Sequence, residues 1–263
     1  MMEGFFAALR VETTKALKSR MFWGTIIFFV FIAFMLGFLM LIVKKPDIFG
    51  KSGILNAKAS FLSSADWHGY FSLMLQMALT LGLIGPSLVT VWVFGREFSD
   101  RVIKDLLALP VSRLNIVMAK FFISFAWSVL LMALLGLCSL LAGILVHLNG
   151  WQGSLALKSL RLYTSASLLT ILLFPVISFV TCISRGYMLP IGITILLMIG
   201  TQFLYIGLPS LTPVFPWAVP GIVSGAAGPF SPKPELMSYV ILFTTSAAGI
   251  AGTAAWIRYA DQH

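Results

Sequence analysis

The chain has 263 residues, of which 59% are hydrophobic and only 10% charged, with 22 Phe and 7 Trp among them. Soluble domains run at roughly 45–50% apolar and about 25% charged, and a chain of this length has no single core able to hide the surplus, so a water-soluble globule is excluded. The formal charge of +9, from 18 Lys and Arg against 9 Asp and Glu, would suggest nucleic acid in a soluble chain. On a lipid-embedded one it marks contact with anionic lipid and the orientation of helices, and nucleic acid drops out as a partner.

The chain opens on Met2, Phe5, Phe6, Leu9, Ala16 and Leu17 at helical spacing, with Arg10, Lys15 and Lys18 among the polar positions. That pattern predicts an amphipathic helix along the inner membrane surface. Six apolar runs follow, at 22–43, 70–94, 121–146, 162–183, 187–208 and 236–257. Each is long enough to cross hydrocarbon as a helix and none alternates like a barrel strand. The expected fold class is an all-α integral membrane protein, with residues 1–263 forming one transmembrane domain. The first run is expected to remain as an anchor rather than to act as a cleaved leader. Trp23, Trp67, Trp92, Trp151 and Trp256 stand at or near span ends, where amphipathic rings are expected, and Trp127 lies inside the third span. Counting Lys and Arg gives eleven on the N-terminal side of the bilayer and seven on the other. That excess places both termini in the cytoplasm of a multi-pass cell-membrane protein.

The stretches between spans, the longest being 44–69, 95–120 and 209–235, are each too short for an independent soluble domain. No GxxxxGK[ST] phosphate loop occurs, and there is no HExxH and no Asp within a span. His68, His147 and His263 are scattered, and Cys138 and Cys182 sit far apart in apolar runs. Neither catalysis nor a bound metal or cofactor is therefore expected on this chain. If ATP drives it, ATP and Mg2+ belong to another polypeptide. Gln76, Thr80, Ser87 and Thr90 in the second span, and Thr201 and Gln202 in the fifth, are expected chiefly as interhelical hydrogen-bond partners.

The stretch 95–120 carries the most information. Phe98, Val102, Ile103, Leu106 and Leu107 fall at helical spacing, with Arg96, Glu97, Asp100, Arg101, Lys104 and Asp105 on a charged face. Pro110 ends this short surface helix, and Ser112 is placed to cap the next one, which runs past Arg113 and Lys120 into the third span. Glu97, then Ile103-Lys104-Asp105-Leu106-Leu107, then Leu109-Pro110-Val111-Ser112-Arg113, then Lys120 resembles the hallmark of ABC type-2 exporter permeases. The strings around 94–97 and 105–110 are most similar to the branch of bacitracin-transport and lantibiotic-immunity permeases. Arg101-Val102 stands where a Gly-Thr pair is common in the wider family. The resemblance implies a six-span permease whose charged segment, with Arg96, Glu97, Asp100, Arg101, Lys104, Asp105, Pro110, Ser112 and Arg113, couples the spans to a separate ABC ATPase.

Seven of the twelve prolines, Pro209, Pro213, Pro216, Pro220, Pro229, Pro232 and Pro234, fall before the last run. Apolar, helix-broken backbone of this kind is tolerated at membrane depth only inside protein or along a cavity. The alternative is an ordinary outer loop resting on the bilayer. The resemblance favours re-entrant or interfacial helices there, with Pro213, Phe215, Pro216, Trp217, Pro220 and Gly221 as an outer gate. Pro86 and Pro175 are expected to kink the second and fourth spans. Small residues on the last span, Ala247, Ala248, Gly249, Ala251, Gly252, Ala254 and Ala255, and the Ser139/Gly143 pair on the third allow close helix approach, within the chain or to a second copy. Six spans are half an exporter's usual complement, so the resemblance implies a homodimer or a paralogous permease partner in a bacterial membrane. Export of an amphipathic substrate such as a peptide antibiotic is the function implied; a non-transporting scaffold that recruits a cytoplasmic partner is the alternative.

Overall fold

The computed structural model describes residues 2–44, 66–100, 112–228 and 231–259. Among them the protein is helical and contains no strand, and six helical spans are long and apolar enough to cross a membrane. Helix α1 (Met2–Leu17) is followed by α2 (Arg20–Lys44), whose start Ser19 caps by accepting from the Phe22 N–H at 3.0 Å. Helix α3 (Trp67–Ser99) begins at Asp66, whose carboxylate accepts from the Gly69 N–H at 2.9 Å. Helix α4 (Arg113–Leu145) begins at Ser112, whose hydroxyl accepts from the Asn115 N–H at 3.3 Å, as the spacing predicts.

The fourth span is in two pieces, α5 (Gly153–Ile171) and α6 (Phe174–Ser184), followed by α7 (Met188–Gly207). Sequence reading starts this span nine residues late and expects only a kink at Pro175. The chain instead makes a turn at Leu172–Leu173, because a proline ring at the second position of α6 allows no continuous ladder through it. Helix α3, by contrast, runs unbroken through Pro86, where the Thr90 hydroxyl donates to the Pro86 carbonyl at 2.6 Å. After α7 come two single 3-10 turns (Pro209–Leu211 and Pro216–Ala218), the short α8 (Val219–Ser224) and the last span α9 (Leu236–Tyr259).

Helix α3 lies at the centre, packed by α4, α5, α6 and α7; α2 and α1 lie on α4, and α9 lies on α6. The main core runs from Phe22 and Phe29 on α2 through Tyr70, Met74 and Phe94 on α3 to Trp127, Leu131 and Leu135 on α4. Trp127 is buried there, its indole N–H donating to Thr25 Oγ1 at 3.1 Å and its ring lying tilted against Phe22 and edge-on to Trp92. Trp67, expected at headgroup level, is likewise buried, edge-on to Trp151 with ring centroids 4.7 Å apart. Thr80, Thr90 and Thr201 bond carbonyls four residues back in their own helices and, among the described residues, make no interhelical pairs. A hydroxyl on a β-branched side chain reaches that carbonyl without any partner helix. Gln76 and Gln202 are exposed.

The small residues divide by face. Gly249 and Gly252 meet Pro175 and Phe179 of α6, and Gly143 meets Trp67 and Tyr70 of α3, so these close approaches are within the chain. Ala247, Ala248, Ala251 and Ala255 remain exposed.

At the far end of the bundle the Lys44 ammonium donates to the carbonyls of Val146 and His147, at 3.1 and 2.5 Å. The Trp67 N–H donates to Asn149 O at 3.1 Å. The end of α2 and the start of α3 are thus both tied to the turn after α4.

Candidate functional site: a buried ring of charge

At the end of the bundle that holds α1, four charged side chains from three helices close into a ring. Lys120 Nζ donates to Glu97 Oε1 at 2.8 Å and to Glu12 Oε2 at 3.3 Å. Lys15 Nζ donates to Glu12 Oε1 at 2.9 Å and to Glu97 Oε1 at 3.2 Å. Positive and negative groups alternate around it. The third Lys120 donor goes to the Val93 carbonyl at 3.0 Å, so all three N–H bonds of this ammonium are used. The Arg96 guanidinium stands 4.0 Å from Glu12 Oε2 and 4.5 Å above the Trp92 ring.

Each member arrives by a local rule. Glu12 shares the inner face of α1 with Ala8, Leu9 and Ala16, and the small Ala8 packs on Ile116 and Ala119 of α4, which lets the two helices approach closely. Glu97 is carried inward because α3 continues beyond the predicted end at residue 94 to Ser99. Lys120 lies two turns into α4, about 10 Å along its axis. Glu97 and Lys120 are each 2% exposed and Glu12 is 4% exposed, while Lys15 reaches the surface. Burial by itself would push the Glu12 carboxyl up, but Lys120 first, then Lys15 and Arg96, outweigh it and hold the group below the ordinary glutamate range.

A carboxyl depressed in the folded state stabilises above its unfolded value, and that stabilisation is lost as pH falls through the folded value. Amides of residues 8–17 are therefore expected to exchange faster with solvent at about pH 4 than at neutral pH, after correction for intrinsic rates, as α1 loosens. Glu12→Gln is expected to raise exchange at neutral pH and to remove that pH difference. An unchanged pH response in the variant would place the titration elsewhere.

The charged segment singled out in the sequence divides in the structure. Glu97 belongs to the ring, its carboxylate turned toward Lys120 and away from the solvent side of the helix, and Arg96 stands beside it at 4.0 Å from Glu12 Oε2. Asp100 is exposed and ends α3, its N–H bonded to Arg96 O at 2.8 Å. Ser112 caps α4, and Arg113 Nη1 donates to the last carbonyls of α9, Ile257 O and Arg258 O, each at 3.3 Å. Arg101, Lys104, Asp105 and Pro110 lie outside the described residues. Glu12 and Lys15 are the members that sequence reading missed as site residues. The available signal was an acid three residues after Leu9 and four before Ala16, on the apolar stripe of α1, where a charge has no reason to sit without a partner.

At the opposite end, Pro216, Pro220 and Gly221 are buried, and Pro213, Phe215 and Trp217 are partly so. The Tyr205 hydroxyl donates to Ala218 O at 3.1 Å, and Val219 packs with Leu173 and Leu242. The helix-broken backbone after α7 is thereby folded against α5, α7 and α9, and Pro229 falls outside the described residues.

Residues 8–201, well over half of the chain, match the family described as ABC-2 family transporter protein. The bacitracin transport permease protein BCRB of Bacillus licheniformis is 25% identical over 190 residues, covering 72% of this chain and 89% of that protein. The matched region runs from the second half of α1 to most of α7 and includes every residue of the charge ring. The chain belongs to the ABC-2 transporter family, as a multi-pass membrane permease that performs no catalysis and whose partner is an ABC ATPase subunit.

Proposed function

We propose that this permease pairs with a second copy of itself or a similar permease, and with ABC ATPase subunits that hold ATP and Mg2+, to export amphipathic peptide antibiotics from a bacterial cell membrane. The observation that carries transport is the open face of α3. Among the described residues this is the most buried of the spans, yet the stripe exposed on it bears His68, Ser72 and Gln76, with Thr80 half-buried a turn further on. Gln202 is exposed on the neighbouring α7. Amide and hydroxyl groups facing hydrocarbon are costly, whereas lining a water-filled path between two permeases leaves them solvated. A scaffold that only recruits a partner has no use for such a stripe. The substrate class rests on the relative's description as a bacitracin transport permease.

The charged end faces the cytoplasm in this reading, following the excess of Lys and Arg on that side. The segment between α3 and α4, with Arg101, Lys104, Asp105 and Pro110, then meets the ATPase, and the ring passes its movement to α1 and to the ends of the second and third spans. Pro213, Phe215, Pro216, Trp217, Pro220 and Gly221 close the outer mouth.

Reconstituted in vesicles with its ATPase, the complex is expected to hydrolyse ATP several-fold faster when a bacitracin-class peptide is added. Gln76→Leu with Gln202→Leu is expected to lose most of that stimulation while still co-purifying with the ATPase. An ATPase-bound complex that no amphipathic peptide stimulates overturns the substrate class. Failure to bind any ABC ATPase in mild detergent returns the scaffold reading.

A further inference from the structure

We propose that the groove between α4 and α9 holds an anionic phospholipid, its headgroup between Arg113 and Arg258 and one acyl chain in the apolar cavity beneath. Two separate cavities lie along this pair of helices. The first, about 570 Å³, is at the membrane-surface end and is walled by Arg113, Arg258 and Tyr259 with Leu114, Ala254 and Ala255 below them. The second, about 280 Å³, is walled by Met118, Phe122 and Phe125 of α4, Ile250 of α9, and Pro175 at the break in the fourth span. Helices α4 and α9 run antiparallel here, since Arg113 at the start of one bonds the last carbonyls of the other. Leu114 and Met118 are one turn apart on α4, and Ala254 and Ile250 are one turn apart on α9. The two cavities therefore follow one another along a single groove about 5–6 Å apart.

The chemistry changes down the groove as it does along a phospholipid. Among the described residues no carboxylate lines either cavity. The mouth presents two guanidiniums: among the described residues that of Arg113 bonds through Nη1, to Ile257 O and Arg258 O, and that of Arg258 rests 5.1 Å over the Tyr259 ring. Planar forks of this kind match phosphate oxygens, and basic pockets between membrane helices suit anionic headgroups. Deeper in, the one hydroxyl on the wall, Ser246 Oγ, already donates to Leu172 O at 2.6 Å. A polypeptide laid in that cavity would find nothing to satisfy its backbone, whereas an acyl chain asks for nothing. Leu114, Met118, Phe122, Phe125 and Ile250 are all exposed along this wall. Phe5 of α1 also touches the deeper cavity, so the lipid would join α1, α4, the broken fourth span and α9.

The test is native mass spectrometry of the full-length protein in mild detergent, offered phosphatidylglycerol and phosphatidylcholine together. The wild type is expected to retain phosphatidylglycerol at least tenfold better. Arg113→Gln with Arg258→Gln is expected to erase that preference. Because Arg113 also bonds the end of α9, Arg258→Gln alone is the variant that keeps the fold, and at least a threefold loss of preference is expected from it. Ile250→Trp, which fills the lower cavity, is expected to reduce retention of both lipids, and glycerol phosphate without acyl chains is expected not to compete. Equal phosphatidylglycerol retention by wild type and the double variant overturns the proposal, as does displacement of the lipid by glycerol phosphate. Loss of ATPase binding or self-association in Ile250→Trp with lipid retention unchanged overturns it as well, assigning the groove to a protein partner.

Discussion

Lys120→Met is expected to cost the bundle about 3 kcal/mol, the lower end of the range for breaking a buried ion pair from one side. Two carboxylates, Glu12 and Glu97, would then share a water-poor site with only Lys15 and the more distant Arg96 to balance them. The loss is measured as a lower melting temperature in detergent and as faster tryptic cleavage within α1 at Arg10 and Lys15. The companion variant separates stability from function. Replacing the buried members together, Glu12→Leu with Glu97→Met and Lys120→Met, removes the desolvation cost along with the attraction, and such replacements are often neutral or stabilising by about 1–4 kcal/mol. The triple variant is therefore expected to melt near the wild type. If the ring transmits the ATPase stroke, the same variant is expected to fold, bind the ATPase and fail in peptide-stimulated turnover. A triple variant that transports normally would reduce the ring to an anchor for α1.

The second large effect is expected at Gly249, where α9 crosses α6. A Cβ there would sit 2.6 Å from both the Pro175 carbonyl carbon and the Val176 nitrogen. Both obstacles are backbone, so no rotamer change relieves the clash and the helices must separate. Gly249→Val is expected to destabilise by about 3 kcal/mol, the upper end for an overpacked interior. Gly24→Ala is the matched control: nothing lies within 4 Å of its Cβ position, and a change within about 0.5 kcal/mol is expected. The separation also strains a neighbouring tie, the Ser178–Thr253 hydroxyl pair at 2.8 Å between the same two helices. Thermal unfolding of the two variants side by side reads the difference; equal melting would show that α6 and α9 can slide apart at little cost.

The membrane spans were legible in the sequence because hydrocarbon imposes one rule, about 20 apolar residues per crossing, and that rule is local. Their ends were less so. Helix α3 runs five residues past its apolar run because Glu97 has a lysine to meet on α4, a partner 23 residues away that composition cannot reveal. The turn at Leu172–Leu173 was visible only as Pro175, and a proline announces a break or a bend without choosing between them. Within the site, the family pattern around 97–120 drew attention to Glu97 and Arg113 but not to the two α1 residues that complete the ring. Glu12 stands on the apolar stripe of α1 and so needs a partner, but nothing in the sequence says which one until α4 is packed against it. Trp67 opens its span and Trp127 lies inside the third, as read, but their burial was not legible, because it depends on neighbouring aromatic rings that only the packed helices bring together.

The ties at the far end of the bundle bear on how the chain tolerates change. Lys44 is bonded to the carbonyls of Val146 and His147 and the Trp67 N–H to Asn149 O, so two separate helices hold the same turn after α4. A substitution that cuts one of these ties therefore leaves the other in place, and the turn after α4 stays held to the bundle.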